Sequence, residues 1–127
     1  MERLIAGIDY GSKSSGFTCA SVLKNNKVHL FQAKKNQDAD QSLKIFMEAF
    51  QPQYIGIDAP LSIPGVLREL KGFTNYHFRQ ADLEAKAMSP MFLGGLTARA
   101  IEIASWFKGE WGTKVIEVYP KLVSQEL

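Results

Sequence analysis

Sulfur chemistry is almost absent from this sequence. A single cysteine, Cys19, in 127 residues excludes an intramolecular disulfide and any cysteine-based zinc cluster. No apolar run is long enough for a membrane span or a signal-peptide core, and the first such run is cut at Asp9. The cytoplasm is therefore the expected location, with no membrane partner. Linkers, repeats and low-complexity tracts are also missing, so residues 1–127 read as one domain. Charge of one sign is scarce too. A formal net charge of +2 permits a polyanionic partner without arguing for one. What is present is an ordinary globular composition, 46% hydrophobic and 22% charged, in a chain able to bury one core.

Short apolar runs set the organisation. Leu4–Ile8 ends in Asp9-Tyr10-Gly11-Ser12, a strand stopped by a turn. Ser15–Leu23 is rich in β-formers, and Asn25-Asn26 separates it from Val28–Phe31, which predicts a hairpin. Asp38 can cap a helix, with Gln41 as its reciprocal partner three residues on, and Leu43, Phe46, Met47 and Phe50 make its apolar face until Pro52. Tyr54–Ile57 then leads into a second aspartate. Ile55-Gly56-Ile57-Asp58 echoes Ala6-Gly7-Ile8-Asp9, and unbroken runs of this length suit parallel strands buried on both faces. From Pro60 to Gly95 the pattern loosens, with a short helix over Arg79–Met88. Such an irregular stretch in a small domain is more often functional than idle. Leu96, Ala100, Ile103, Ala104 and Phe107 share one face of a clear helix, Gly112 closes it, and Val115–Tyr119 is the last strand.

The resulting order is three meandering strands, a crossover helix to a parallel strand, then helices and a fifth strand. This is the α/β arrangement of a ribonuclease H-like domain: a five-stranded mixed sheet, three antiparallel strands then two parallel, flanked by helices. In it the first and fourth strands are neighbours, and their crossover is right-handed.

That adjacency brings Asp9 and Asp58 together. Two carboxylates a few ångströms apart repel, so one must take a proton or a cation must lie between them. Oxygen-only ligands favour Mg²⁺ or Mn²⁺. Glu117 lies between apolar positions of its strand, where a carboxylate needs a partner, a metal or an exposed edge. It is the expected third ligand. The run Gly11-Ser12-Lys13-Ser14-Ser15-Gly16 nearly makes a P-loop counted from Gly7, but Ser12 stands where the second glycine belongs. Read as a tight connection it is structural; read as a phosphate contact it works through Lys13. Arg79 and Asp82 have the helical spacing of an ion pair. Arg79 or Arg99, the latter on the flank of the last helix's apolar stripe, could neutralise a substrate phosphate. His77, between Tyr76 and Phe78, is a general acid, a stacking neighbour for a base, or neither. Cys19 reads as a small buried residue.

Four motifs carry a family resemblance over residues 4–120. Ile8-Asp9-Tyr10-Gly11, Ile57-Asp58-Ala59-Pro60, Arg79-Gln80-Ala81-Asp82 and Ile116-Glu117-Val118-Tyr119-Pro120 resemble, in order, the ribonuclease H-like nucleases grouped as domain of unknown function 429. The resemblance implies a ribonuclease H fold with Asp9, Asp58 and Glu117 as acidic site residues, and Arg79 with Asp82 in the same pocket. Ala81 stands where many members carry cysteine. Ribonuclease H enzymes often add a carboxylate from a late helix, and Glu126 is the acidic residue available there.

Three functions are in play. The first is a divalent-metal-dependent nuclease hydrolysing phosphodiester bonds of RNA or DNA, with Mg or Mn held by Asp9, Asp58 and Glu117 and substrate contacts from Lys13, Arg79, Asp82 and Arg99. The second is a nucleotide (ATP)-binding domain of the actin and sugar-kinase type, because Asp9-Tyr10-Gly11-Ser12 is similar to the first phosphate loop of that superfamily. The third is a non-catalytic binding domain that retains the fold. Oligomeric state stays open at this point, a homodimer included.

Overall fold

A computed structural model describes residues 3–119. Its first strand, β1 (Ile5–Asp9), lies at the centre of a five-stranded sheet. β2 (Cys19–Lys24) and β3 (Lys27–Gln32) form the expected hairpin. Both turn residues, Asn25 and Asn26, take positive φ (52° and 62°), the pair of left-handed conformations that a two-residue hairpin turn requires and that asparagine tolerates. α1 (Ala39–Glu48) crosses over to β4 (Tyr54–Ile57). The loose stretch contains a single 3₁₀ turn (Gly65–Arg68), α2 (Gln80–Ala85) and α3 (Pro90–Leu93), and α4 (Gly95–Trp111) leads to β5 (Lys114–Glu117).

The sheet order is β3-β2-β1-β4-β5, antiparallel across β3, β2 and β1 and parallel across β1, β4 and β5. This is the ribonuclease H-like arrangement expected from the element order. The register pairs Ile8 with Ile57, and Ile57 with Glu117. The C-terminal ends of three parallel strands therefore meet along one sheet edge, where ligands bind in open α/β sheets.

α1 and α4 pack on one face of the sheet. Ala6, Ile8, Ala20, Val22, Ile55, Ile57 and Val115 point into that core, against Leu43, Met47, Ala100, Ile103, Ala104 and Phe107. The opposite face corrects one expectation. β1 and β4 are not buried on both sides among the described residues: Ile5, Leu23, Val28, Leu30, Tyr54, Ile116 and Val118 remain exposed. Gly7 and Gly56 fall at outward positions, so each run reads as wholly apolar without presenting a large outward side chain at its middle. A Cβ at Gly56 would come within 3.0 Å of Val118 Cγ1.

Other boundaries move slightly. The second strand starts at Cys19 rather than Ser15, because the segment before it turns back on itself: Ser15 Oγ accepts from the Phe17 amide and donates to the Ser12 carbonyl. The short helix stops at Ala85, where Lys86 adopts φ 54° and caps it. The last strand ends at Glu117. Asp38 caps α1 by accepting from the amides of Asp40 and Gln41 at 3.0 and 3.2 Å. Asp38→Ala should lower stability by about 1 kcal/mol, read as a lower denaturant midpoint at unchanged m-value.

Candidate active site

Asp9 is the last residue of β1 and Asp58 follows directly on β4. The parallel ladder continues one step past the strands: the Asp58 amide donates to the Ile8 carbonyl (3.3 Å), and the Tyr10 amide donates to Asp58 Oδ1 (2.7 Å). The two carboxyl groups interact directly. Burial, followed by a hydrogen bond with Asp9 and the Asp9 charge, pushes the Asp58 carboxyl up to about 6 despite the opposing Tyr10 amide. Cys19 faces Asp9 across the β1–β2 ladder, with Sγ 3.9 Å from Asp9 Oδ2. Burial and both aspartates raise its thiol pKa, so Cys19 is a half-buried thiol at the rim of the acidic pair and not the core residue expected.

Glu117 meets different partners. Arg79 Nη2 donates to Glu117 Oε2 (3.0 Å) and Arg79 Nη1 donates to Oε1; the Leu61 amide (2.7 Å) and the Tyr119 hydroxyl (2.7 Å) also donate to this carboxylate. Burial alone would raise its pKa, but these donors, Arg79 first, hold it below the usual range. Tyr119 is pushed up to about 12 by its own burial and by Glu117. On its other side Arg79 grips Asp82, which is 1% exposed, through Nε (3.0 Å) and Nη2 (2.7 Å), and it donates to Ser62 Oγ (2.9 Å).

The geometry corrects the expected three-carboxylate metal site. Among the described residues no group of three or more histidine, cysteine, aspartate or glutamate side chains comes together to hold a metal ion. Glu117 commits both its oxygens to Arg79 and its neighbours. It does, however, line a cavity of about 240 Å³ together with Asp58, Arg79, Asp82, Lys86 and Tyr119, so Asp58 joins the arginine cluster in one pocket, while Asp9 lies with Asp58 along the open sheet face.

The expected substrate contacts are also rearranged. All five guanidinium donors of Arg79 are engaged by Asp82, Glu117 and Ser62, so it cannot grasp a phosphate without releasing one of them. Arg99 lies elsewhere, bidentate on Asp40 (2.9 and 2.9 Å), donating to the Gly11 carbonyl (3.2 Å) and stacked 4.7 Å from the Tyr10 ring. Tyr10 donates its hydroxyl to the same Asp40 oxygen (2.5 Å). Arg99 thereby fixes the segment whose amide holds Asp58. Lys13 pairs with the helix cap Asp38 at 3.6 Å on the surface, and the Gly11 amide donates to Thr18 Oγ1. The Gly11–Gly16 run is thus a tight connection. Glu126 lies outside the described residues.

Sequence reasoning missed Asp40 and Tyr119 as partners, and Lys86 as a pocket residue. Asp40 carries no signal in the sequence beyond being an acidic residue in the first turn of a helix. The available signal for Tyr119 was its i, i+2 spacing from Glu117, which puts two polar side chains on one side of an extended segment.

No family model and no curated protein matches the sequence. Among solved structures, the chain is similar to a trimeric exonuclease, PhoExo I from Pyrococcus horikoshii OT3, in complex with poly-dA. The TM-score is 0.47 and the identity 12%, over 91% of this chain and 59% of that one. The chain thus spans under two thirds of that protein's length.

Proposed function

We propose that this chain is a divalent-metal-dependent nuclease acting on phosphodiester bonds of RNA or DNA at the Asp9–Asp58 pair. The observation that carries this reading is the placement of two interacting carboxylates at the ends of adjacent parallel strands, one of which, Asp58, opens on a pocket. Two carboxylates, with substrate phosphate completing the shell, are a usual Mg²⁺ arrangement, so the pair fits Mg or Mn without a third protein ligand. Bound there, such an ion would supply a Lewis acid for a phosphate oxygen and a water of lowered pKa.

The protein's own part is positioning. The Tyr10 amide orients the Asp58 carboxylate, and Arg99 with Asp40 holds Tyr10 in place. The Arg79–Asp82–Glu117 cluster forms a rigid pocket wall, and Glu117 acts there as Arg79's partner. Lys86 supplies a cation at the rim for an incoming phosphate. Among the described residues no helix is long and apolar enough to cross a membrane.

The test is a thermal melt with and without Mn²⁺ beside a cleavage assay on single- and double-stranded RNA and DNA. A Mn²⁺-dependent rise in melting temperature together with Mn²⁺-dependent cleavage is expected. A melting temperature indifferent to Mn²⁺ and no cleavage would leave a binding domain. Stabilisation by ATP with Mg²⁺, without cleavage, would favour the nucleotide-binding reading.

A further inference from the structure

A second and larger cavity, about 740 Å³, opens beside the acidic pocket. His77, Phe78, Met88, Met91 and Phe92 line it, and Lys86, Ala87 and Met88 belong to both cavities. One short stretch of chain is therefore the partition between a charged compartment and an apolar one.

That partition is fixed. Lys86 sits in the left-handed cap of α2, donating its amide to the carbonyls of Asp82 and Leu83, and the Ala87 amide donates to Asp82 (2.9 Å). Asp82 is in turn held by Arg79, so the partition is anchored to the same cluster that forms the acidic pocket's wall. The two sides of the larger cavity are tied together as well. Ser89 donates its hydroxyl to the His77 carbonyl and accepts from the Met91 amide, while Asn75 Oδ1 accepts from the amides of His77 and Phe78.

The lining contributes little to folding. Phe92 is 80% exposed and Met88 54%, so these side chains stay in water when the protein is alone. A concave group of aromatic and thioether side chains with a few polar neighbours is the usual composition of a ligand site. Rings and sulfur favour flat, polarizable partners over aliphatic ones. Lys86 at the boundary asks for an anion next to that flat group. A base with its phosphate satisfies both demands.

We propose that this cavity takes an unstacked base of a single-stranded nucleic acid, with Phe92 and Phe78 against the ring, Lys86 on the adjoining phosphate, and the backbone running on toward Asp9 and Asp58. The proposal rests on the nuclease reading for the direction of the strand, and it adds the substrate class: single strands or frayed ends, because a base inside a duplex has no free face to stack.

The experiment compares binding of a labelled oligothymidylate with that of an abasic oligomer of equal length, in EDTA so that neither metal nor cleavage enters. The wild type should bind the oligothymidylate about tenfold more tightly, and Phe92→Ala should remove that preference while leaving abasic affinity unchanged. Phe92→Trp should restore it. Phe92 is exposed, so its loss leaves the core intact, and an unchanged melting temperature checks this. Equal affinity for the two oligomers, a Phe92→Ala preference equal to the wild type's, or no binding of either would overturn the proposal. Base-dependent binding by a wild type that cleaves nothing in Mn²⁺ would instead overturn the nuclease reading and leave this cavity as a base-binding site.

Discussion

Asp58→Asn should cut Mn²⁺-dependent cleavage by more than about a hundredfold while making the metal-free protein more stable at neutral pH. Asparagine keeps the oxygen that accepts from the Tyr10 amide, so the local backbone is preserved. It removes the negative charge that would face a cation, and with it the repulsion from Asp9. The sign of the stability change follows from the raised carboxyl. Asp58 has a folded value of about 6, above its ordinary range, so folding disfavours its ionised form. Below the unfolded pKa the group is protonated in both states and costs nothing; as pH rises through 6 the folded protein is penalised. The penalty at this half-buried position is about 1 kcal/mol after solvent screening, roughly 3–5 °C in melting temperature for a chain of this size. Melts of wild type and variant should therefore coincide near pH 4 and separate above pH 6, with the variant higher. Asp9→Asn should lose cleavage in the same way. A variant that melts lower than wild type at pH 7 would show that the two carboxylates do not repel.

The second large effect concerns Arg79. Its replacement by alanine should destabilise the protein by about 3–5 kcal/mol, because it strands Asp82 in the interior and leaves Glu117 half-buried beside it. Lysine should rescue little, since one ammonium cannot reproduce a guanidinium bonded to two carboxylates and a serine at once. Acid should weaken the wild type through the same cluster. The Glu117 carboxyl lies below its usual range, so the stability from its pairing is present above the unfolded pKa and is lost as pH falls through the folded value. Urea unfolding of Arg79→Met against Arg79→Met with Asp82→Asn and Glu117→Gln isolates the cost of the unpaired charges. The triple variant should recover most of the loss. A single variant within about 1 kcal/mol of wild type would mean that the cluster is not structural.

Much of this architecture was legible in the chain. The repeated Gly-Ile-Asp endings and the Asn-Asn turn determine strand adjacency, because short apolar runs and turn residues act locally. Side-chain pairing was less legible. Arg79 and Asp82 are three residues apart and could be paired on sight, whereas Glu117 reaches the same arginine across 38 positions, which only the β4–β5 register reveals. Alternation marked Glu117 as a carboxylate needing a partner; it could not say whether that partner was a metal or an arginine. Arg99 went the same way, since Asp40 lies 59 residues from it. The open sheet face escaped because glycines at the outward positions hide the period-two pattern.

The central claim is that Asp9 and Asp58 together hold a divalent cation, and paramagnetic resonance of Mn²⁺ reads this directly. Titrating the wild type into Mn²⁺ at neutral pH, with a single-stranded oligonucleotide of non-cleavable linkages present, should deplete the free-ion signal. Asp9→Asn and Asp58→Asn should leave most of that signal, with Glu117→Gln depleting it as the wild type does. An undiminished free-ion signal with the wild type, or depletion equal in all four proteins, would contradict the account.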